Sequence, residues 1–129
     1  MKARFALLMT LVLGSALLLQ APAHAAATTK VFGFLHASSQ GRLWFAKGKL
    51  WPHPEYEAWQ WKRTGKWKRH RVADGAKLYV NILAGQARLK RVSYSWLNGH
   101  LKPASTKNLG FHVWLRKGEI VKVEQVYTP

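Results

Sequence analysis

Residues 59–72 carry the most specific chemical pattern in the chain. They read WQWKRTGKWKRHRV, which combines tryptophans with lysines, arginines and one histidine and contains no acidic residue. Indole rings stack on nucleobases and lie against sugar rings, while Lys and Arg neutralise phosphate, sulfate or carboxylate groups. The pattern predicts a binding site for an anionic polymer, made of Trp59, Trp61, Lys62, Arg63, Lys66, Trp67, Lys68, Arg69, His70 and Arg71.

Thr64-Gly65 lies in the middle of this segment and predicts a two-residue hairpin turn. Cations beside indole faces would offset the repulsion between the strands by roughly 0.5–1 kcal/mol each at exposed sites. The expected register pairs Arg63 with Lys66, Lys62 with Trp67, Trp61 with Lys68, and Trp59 with His70.

An alternative interpretation of the same segment is a solvated basic face whose tryptophans belong to the core. Three other tryptophans have apolar neighbours, and we expect them to serve packing: Trp44, Trp96 and Trp114. Further basic residues cluster at Arg88, Lys90 and Arg91 and at Arg116, Lys117 and Lys122.

The other residue types offer little for catalysis or metal binding. The chain has no cysteine, and none of its histidines stands in H-x-H, H-x-x-H or H-E-x-x-H spacing. A small metal-independent nuclease is a third functional hypothesis, because it needs only a general base, a general acid and a cation. Glu55 or Glu57, His70, and Arg69 or Arg71 are its candidates. We expect no catalytic residue, no metal ligand and no cofactor.

Residues 1–25 have the pattern of a secretory signal peptide. Lys2 and Arg4 precede an apolar run from Phe5 to Leu19, and Ala23-His24-Ala25 provides the small residues that a signal peptidase reads. The apolar run of about 15 residues is shorter than the roughly 20 that span a bilayer. We expect cleavage after Ala25, a periplasmic or secreted product, and no transmembrane segment after cleavage.

The exported product is strongly basic. Lys2 and Arg4 leave with the signal peptide, so 19 of the 21 basic residues remain against 5 acidic ones, a net charge of +14. A field of this sign favours an anionic polymer or an acidic protein as partner, and it also allows peripheral contact with an anionic membrane surface.

Residues 26–129 are expected to form one β-rich domain. Short apolar stretches alternate with turn signals every eight to twelve residues, which is typical of an antiparallel all-β domain. We predict a small antiparallel sheet or partly open barrel of about 6–8 short strands, at 30–36, 42–47 with an extension past a bulge at Gly48, 55–63, 66–72, 77–84, 87–97, 111–116 and 119–127. Turns are predicted at 73–75, 85–86, 98–99 and 117–118, and a polar loop at 100–110. The alternative is an α+β fold with one short helix in 55–63 or 77–91.

The leading functional hypothesis is a non-enzymatic exported protein that binds lipopolysaccharide, an acidic glycan, peptidoglycan or nucleic acid through the aromatic-basic hairpin. The alternative is a protein-interaction module, such as an inhibitor, an immunity protein or an envelope assembly factor, that docks on an acidic protein. Its tryptophans would then be anchor residues at the interface.

Overall fold

Seven strands and one short helix make up the domain in the computed structural model, which describes residues 27–84 and 86–127. The predicted signal peptide lies outside these residues, and so does Gly85. In chain order the elements are β1 (Thr29–Ala37), β2 (Arg42–Pro52), β3 (Trp59–Arg63), β4 (Lys68–Ala84), β5 (Gln86–Val92), α1 (Tyr94–His100), a 3-10 helix (Ala104–Asn108), β6 (Gly110–Arg116) and β7 (Glu119–Gln125).

The seven strands form one sheet in the order β3-β2-β1-β6-β7-β4-β5, and an additional pairing between β2 and β4 joins it into a ring. The ring contains β1, β2, β4, β7 and β6, while β3 and β5 extend it beside the ends of β2 and β4. The predicted all-β fold with a small sheet or barrel is confirmed. One of the pairings, β4 with β7, is parallel.

The ring has a recognisable connectivity. In chain order its strands are β1, β2, β4, β6 and β7. The first three pair antiparallel, β1 with β2 and β2 with β4, whereas β4 and β7 pair in parallel. Helix α1 lies between β4 and β6 in the chain. A five-stranded Greek-key barrel connected in this way has the topology of the OB-fold.

The core fills the inside of this barrel. Successive strand residues point to opposite faces, and one set of alternate positions supplies the buried apolar side chains. Leu97 and Leu101 add apolar side chains from α1 and the residue after it. The core cluster consists of Leu35, Leu43, Phe45, Val72, Leu78, Val80, Leu97, Leu101, Phe111, Val113, Ile120 and Val123.

The last hairpin forms as the sequence predicts. Lys117 and Gly118 have positive φ angles of 52° and 76°, and they connect β6 to β7 as a two-residue turn. Arg116 pairs with Glu119 and Leu115 with Ile120, as expected from their order around the turn.

The predicted hairpin across Thr64-Gly65 is wrong. Both of its arms pair with β2, where Gly48 lies opposite Arg63 and Phe45 opposite Lys68. The three residue steps from Phe45 to Gly48 on β2 lie opposite the five steps from Arg63 to Lys68. Residues 64–67 therefore form a bulge between β3 and β4, both of which pair with β2. The hairpin that does form is β2–β3, and the backbone N–H of His53 donates to the Ala58 carbonyl across its turn. The bulge expected at Gly48 lies instead in the opposing segment 64–67, and β2 itself continues through Gly48.

The region after β5 also differs from the prediction. The strand expected to reach Leu97 ends at Val92, because the Ser93 side chain caps a helix by accepting a hydrogen bond from the Trp96 N–H at 3.1 Å. The Asn98-Gly99 turn signal lies inside this helix. Residues 55–63, 77–84 and 86–91 are not helical, and the predicted loop at 100–110 contains the 3-10 helix.

The turn predicted at 73–75 is a bulge inside β4. Five residue steps from Val72 to Lys77 lie opposite two steps on β7, and Gly75 takes a positive φ of 76°. The extra residues project from the barrel without ending the strand.

Candidate functional site

The outer face of the barrel is unusually aromatic. Antiparallel partners share one face of a sheet, so the residues opposite each other can be followed from strand to strand. On this outer face Phe32 pairs with His112, and His36 pairs with Trp44. The aromatic residues found there are Phe32, Phe34, His36, Trp44, Trp61, His112 and Trp114.

A groove runs over part of this face. Its larger part encloses about 610 Å³ and is lined by Phe34, Trp61, Lys62, Arg63, Trp67, Lys107 and Asn108. A smaller part of about 210 Å³ is lined by His36, Trp44, Trp67 and Lys107. Since Trp67 and Lys107 line both parts, we treat them as one site and call it the groove.

Two glycines allow aromatic rings of the outer face to lie close to the backbone. A Cβ on Gly48 would lie 2.5 Å from Cε2 of Phe34, and a Cβ on Gly110 would lie 2.8 Å from Cζ of Phe32. Phe34 is buried although it points away from the barrel core, since neighbouring rings and the glycine positions enclose it. These contacts form an apolar floor.

The bulge at 64–67 sets the position of Trp67. The backbone N–H groups of Thr64 and Gly65 both donate to the carbonyl of Lys47, at 2.9 and 3.0 Å. Beyond this anchored point the Trp67 ring meets the His36 ring edge to face, with centroids 6.3 Å apart. The Arg63 guanidinium lies over the Trp67 ring at 5.9 Å, and its Nη1 donates to the Gly65 carbonyl at 2.8 Å.

The charge of the groove is positive. Lys62, Arg63 and Lys107 line it, and none of them belongs to an ion pair within the described ranges. Three of the five acidic residues are engaged elsewhere on the barrel: Glu119 and Asp74 with Arg71, and Glu124 with Lys122. The groove therefore combines exposed cations with an aromatic lining.

The structure brings together four of the ten predicted site residues in the groove, namely Trp61, Lys62, Arg63 and Trp67. Arg69 lies beside it, because its guanidinium is 5.8 Å from the centroid of the Trp44 ring that lines the smaller part. Lys66 and Lys68 are exposed and are not among the lining residues. Trp59 is 46% exposed at the far end of β3.

His70 and Arg71 have other contacts. The Nδ1 atom of His70 lies 2.8 Å from the Gly118 carbonyl, and its ring packs against Phe45. Arg71 donates to Glu119 at 2.9 Å; this hydrogen bond and the charge of Glu119 raise the pKa of Arg71 above its ordinary value.

The acid–base set of the nuclease hypothesis is not assembled. His70 pairs with Leu43 near the start of β2, whereas Glu55 and Glu57 follow the other end of β2. The nine residue steps from Leu43 to Pro52 separate them by about 30 Å at the rise of an extended strand. These glutamates cannot act together with His70 on one phosphate.

Sequence reasoning missed five lining residues of the groove. They are Phe34, His36, Trp44, Lys107 and Asn108. Phe34 and His36 alternate with core residues on β1. Aromatic residues at the outward positions of a predicted strand were the sequence signal that could have identified them. Trp96, expected in packing, is 47% exposed and stacks on His100 at 4.9 Å.

Two histidines of the outer face have special surroundings. Nδ1 of His36 is buried without a hydrogen-bond partner in the part of the chain that the structure describes. Burial lowers the pKa of His112, Lys30 lowers it further, and Glu124 opposes them.

No protein-family profile, curated protein or solved structure matches the chain. Within residues 27–84 and 86–127, no group of three or more His, Asp or Glu side chains has a metal-binding arrangement. In the same residues, no helix has the length and apolar character needed to cross a membrane.

Proposed function

We propose that the chain is a non-enzymatic exported protein that binds an anionic polymer in the groove. The observation that carries the proposal is the joint presence of Trp61 and Trp67 with three cations that have no acidic partner among the described residues. A polymer that carries phosphate, sulfate or carboxylate groups on rings meets both charge and aromatic surface there.

The barrel topology supports the proposal by analogy alone. OB-fold barrels bind oligonucleotides and oligosaccharides on the face of their second and third strands. In this chain those strands are β2 and β4, and their outer face holds the Trp44–Arg69 pair. A fold does not assign a ligand, so the proposal rests on the groove residues themselves.

The proposal predicts salt-sensitive binding that depends on the groove. Tryptophan fluorescence of the purified protein is titrated with lipopolysaccharide, an acidic glycan and short DNA, each at low and at higher salt. Counterion release makes a polyanion complex weaken steeply as salt rises. A flat response to all three polymers contradicts the proposal.

A matched pair of variants locates the binding. R63Q/K107Q removes two groove cations, and R88Q/K90Q removes the same two residue types from β5. The groove variant should lower the slope of log affinity against log salt by about 1 for each lost contact. An equal loss in both variants would mean that only net charge matters.

Docking on an acidic protein is the second candidate. Its support is the turn of the β2–β3 hairpin, where Tyr56 is 67% exposed and Trp59 follows at the start of β3. Exposed aromatic residues of this kind are typical anchors of an interface. In this case Y56A/W59A would reduce partner binding, and R63Q/K107Q would leave the partner contact largely intact.

A further inference from the structure

A second cationic site lies on the outer face away from the groove. Lys30 pairs with Trp114, Trp114 with Lys122, and Lys122 with Lys77, so these residues form a line across β1, β6, β7 and β4. The Lys30 and Lys122 ammonium groups lie over the Trp114 ring, at 5.3 and 4.7 Å from its centroid. We call this line the lysine row.

The lysine row has a net positive charge. Among the described residues, the lysine row has one ion pair, in which Nζ of Lys122 lies 3.2 Å from a carboxylate oxygen of Glu124. A cavity of about 310 Å³ beside it is lined by Lys77, Trp114, Arg116, Lys122 and Asp74, together with Thr28, Ala73, Gly75, Ala76 and Val121. Asp74 also reaches Arg71, at 3.7 Å.

Like charges on neighbouring strands destabilise a sheet. The parallel pairing of Lys77 with Lys122 therefore sets two like charges against each other, and of the two only Lys122 has an acidic partner among the described residues. An anion bound between the two would remove that repulsion, and the Trp114 ring already holds two of the ammonium groups near one point.

Aromatic rings connect the lysine row to the groove. The Trp61 ring in the groove is 5.9 Å from the Phe32 ring, which is 5.9 Å from His112, which is 6.3 Å from Trp114. All four rings are half-buried. The barrel core does not use them, since they lie on the outer face.

We propose that the lysine row is a second subsite for the same polymer that occupies the groove, and that this polymer is a linear acidic glycan running along the four rings. The inference rests on the proposed function of the groove. A glycan chain long enough to reach both sites would bind bivalently, with the lysine row holding its sulfate, phosphate or carboxylate groups.

The ring geometry favours a glycan over a single-stranded nucleic acid. Successive bases stack on the faces of aromatic side chains. Consecutive rings of the connecting row meet at 49°, 71° and 65°, so their faces are not parallel. Such rings do not form a platform for successive parallel bases, whereas the cations they hold can contact the charged groups of a glycan.

The test is a length series. Affinities are measured for sulfated oligosaccharides from disaccharide to dodecasaccharide, with oligothymidylates as a second series. The wild-type protein should gain a factor on the order of 10² in affinity once the oligosaccharide reaches both sites. K30Q/K122Q should lose this gain and bind the short members within about twofold of wild type, because the groove is intact. K90Q/K102Q is the control, since it removes two exposed lysines elsewhere.

Each result has a definite meaning. A length dependence that K30Q/K122Q does not change, or an equal loss in K90Q/K102Q, overturns the second subsite. A gain seen only with oligothymidylates overturns the glycan assignment. If R63Q/K107Q leaves short-oligomer binding unchanged while K30Q/K122Q removes it, the groove proposal fails and the lysine row stands as a separate site. Urea unfolding of every variant checks that it is folded.

Discussion

The indole Nε1 of Trp61 donates a hydrogen bond to the backbone carbonyl of Asn108 at 3.0 Å, although 47 residues separate the two in sequence. Trp61 belongs to β3, and Asn108 ends the 3-10 helix before β6. Strands β2 and β1 lie between β3 and β6 in the sheet, so this bond links β3 directly to the 3-10 helix that precedes β6. It thereby fixes the side of the groove that carries Lys107.

Replacing Trp61 by Phe keeps an aromatic ring and removes this donor. A hydrogen bond of this kind contributes about 0.5–1.5 kcal/mol, so W61F should lower the free energy of unfolding by that amount. It should also weaken polyanion binding, because the segment with Lys107 loses its tie. Urea unfolding and a binding titration measure both effects.

The control is W59F. Trp59 is on the same strand, is exposed, and its side chain makes no hydrogen bond to the residues that the structure describes. We expect W59F to leave affinity for the polymer close to wild type. Equal effects from the two substitutions would show that the Trp61–Asn108 bond does not shape the groove.

Gly110 offers a separate test of the aromatic packing. A methyl group there would lie 2.8 Å from Phe32 and 3.3 Å from Trp61, so both rings must move. Overpacking of this type costs about 1–3 kcal/mol, so G110A should lower the free energy of unfolding by that amount and also weaken polymer binding.

Gly99 is the matched control because a Cβ there meets nothing within 4 Å. G99A lies in α1 and should be neutral or more stable by up to about 1 kcal/mol. Unfolding curves for both variants decide the matter.

The hairpin across Thr64-Gly65 shows where sequence reasoning reaches its limit. A turn signal between two β-prone stretches is a local preference, and it competes with pairing to a distant strand. Here β2 has 11 residues and a free edge long enough to accept both arms. The length of that edge depends on how the barrel closes, which short-range patterns do not contain. The β6–β7 hairpin was predictable because its turn and its pairing are neighbours in sequence.

The part of the groove that lies within one short segment was predictable from the sequence, and the part contributed by distant segments was not. Tryptophans and cations in one short segment marked Trp61, Arg63 and Trp67, because composition alone reveals a basic aromatic surface. Lys107 lies forty residues further along the chain, and the fold places it beside Trp67. The Asn98-Gly99 signal was misleading for a comparable reason, since tertiary contacts of the Asn98 side chain stabilise a helical position.

The hydrogen bonds of the Asn98 side chain should contribute to the stability of the fold. The Ser38 N–H donates to Oδ1 of Asn98 at 2.9 Å, and Nδ2 of Asn98 donates to the Ser38 carbonyl at 2.9 Å. N98A leaves both partly buried backbone groups without this partner and should cost about 1–3 kcal/mol in unfolding free energy. N98D keeps the acceptor and loses the donor. S95A, an exposed change on the same helix, is the control in urea unfolding, and a loss in N98A no larger than in S95A would contradict the role of Asn98.

The protonation of His112 couples stability to pH. Its pKa is lowered, first by burial and then by Lys30, while Glu124 acts in the opposite direction. The unfolded chain therefore binds a proton at a higher pH than the folded chain does. Stability from this group is fully present above the unfolded pKa of about 6.5 and is lost as the pH falls through the lower folded value.

The measurement is the free energy of unfolding at pH values from above 7 down to about 5, for the wild type and for H112Q. Wild-type stability should fall with decreasing pH, and H112Q should fall less steeply, because glutamine cannot bind the proton that the unfolded histidine takes up. An NMR titration of the His112 ring in the folded protein should give a midpoint below about 6.5. A midpoint at or above that value, or parallel pH profiles for the two proteins, would show that burial and Lys30 do not hold the pKa of His112 below its ordinary value.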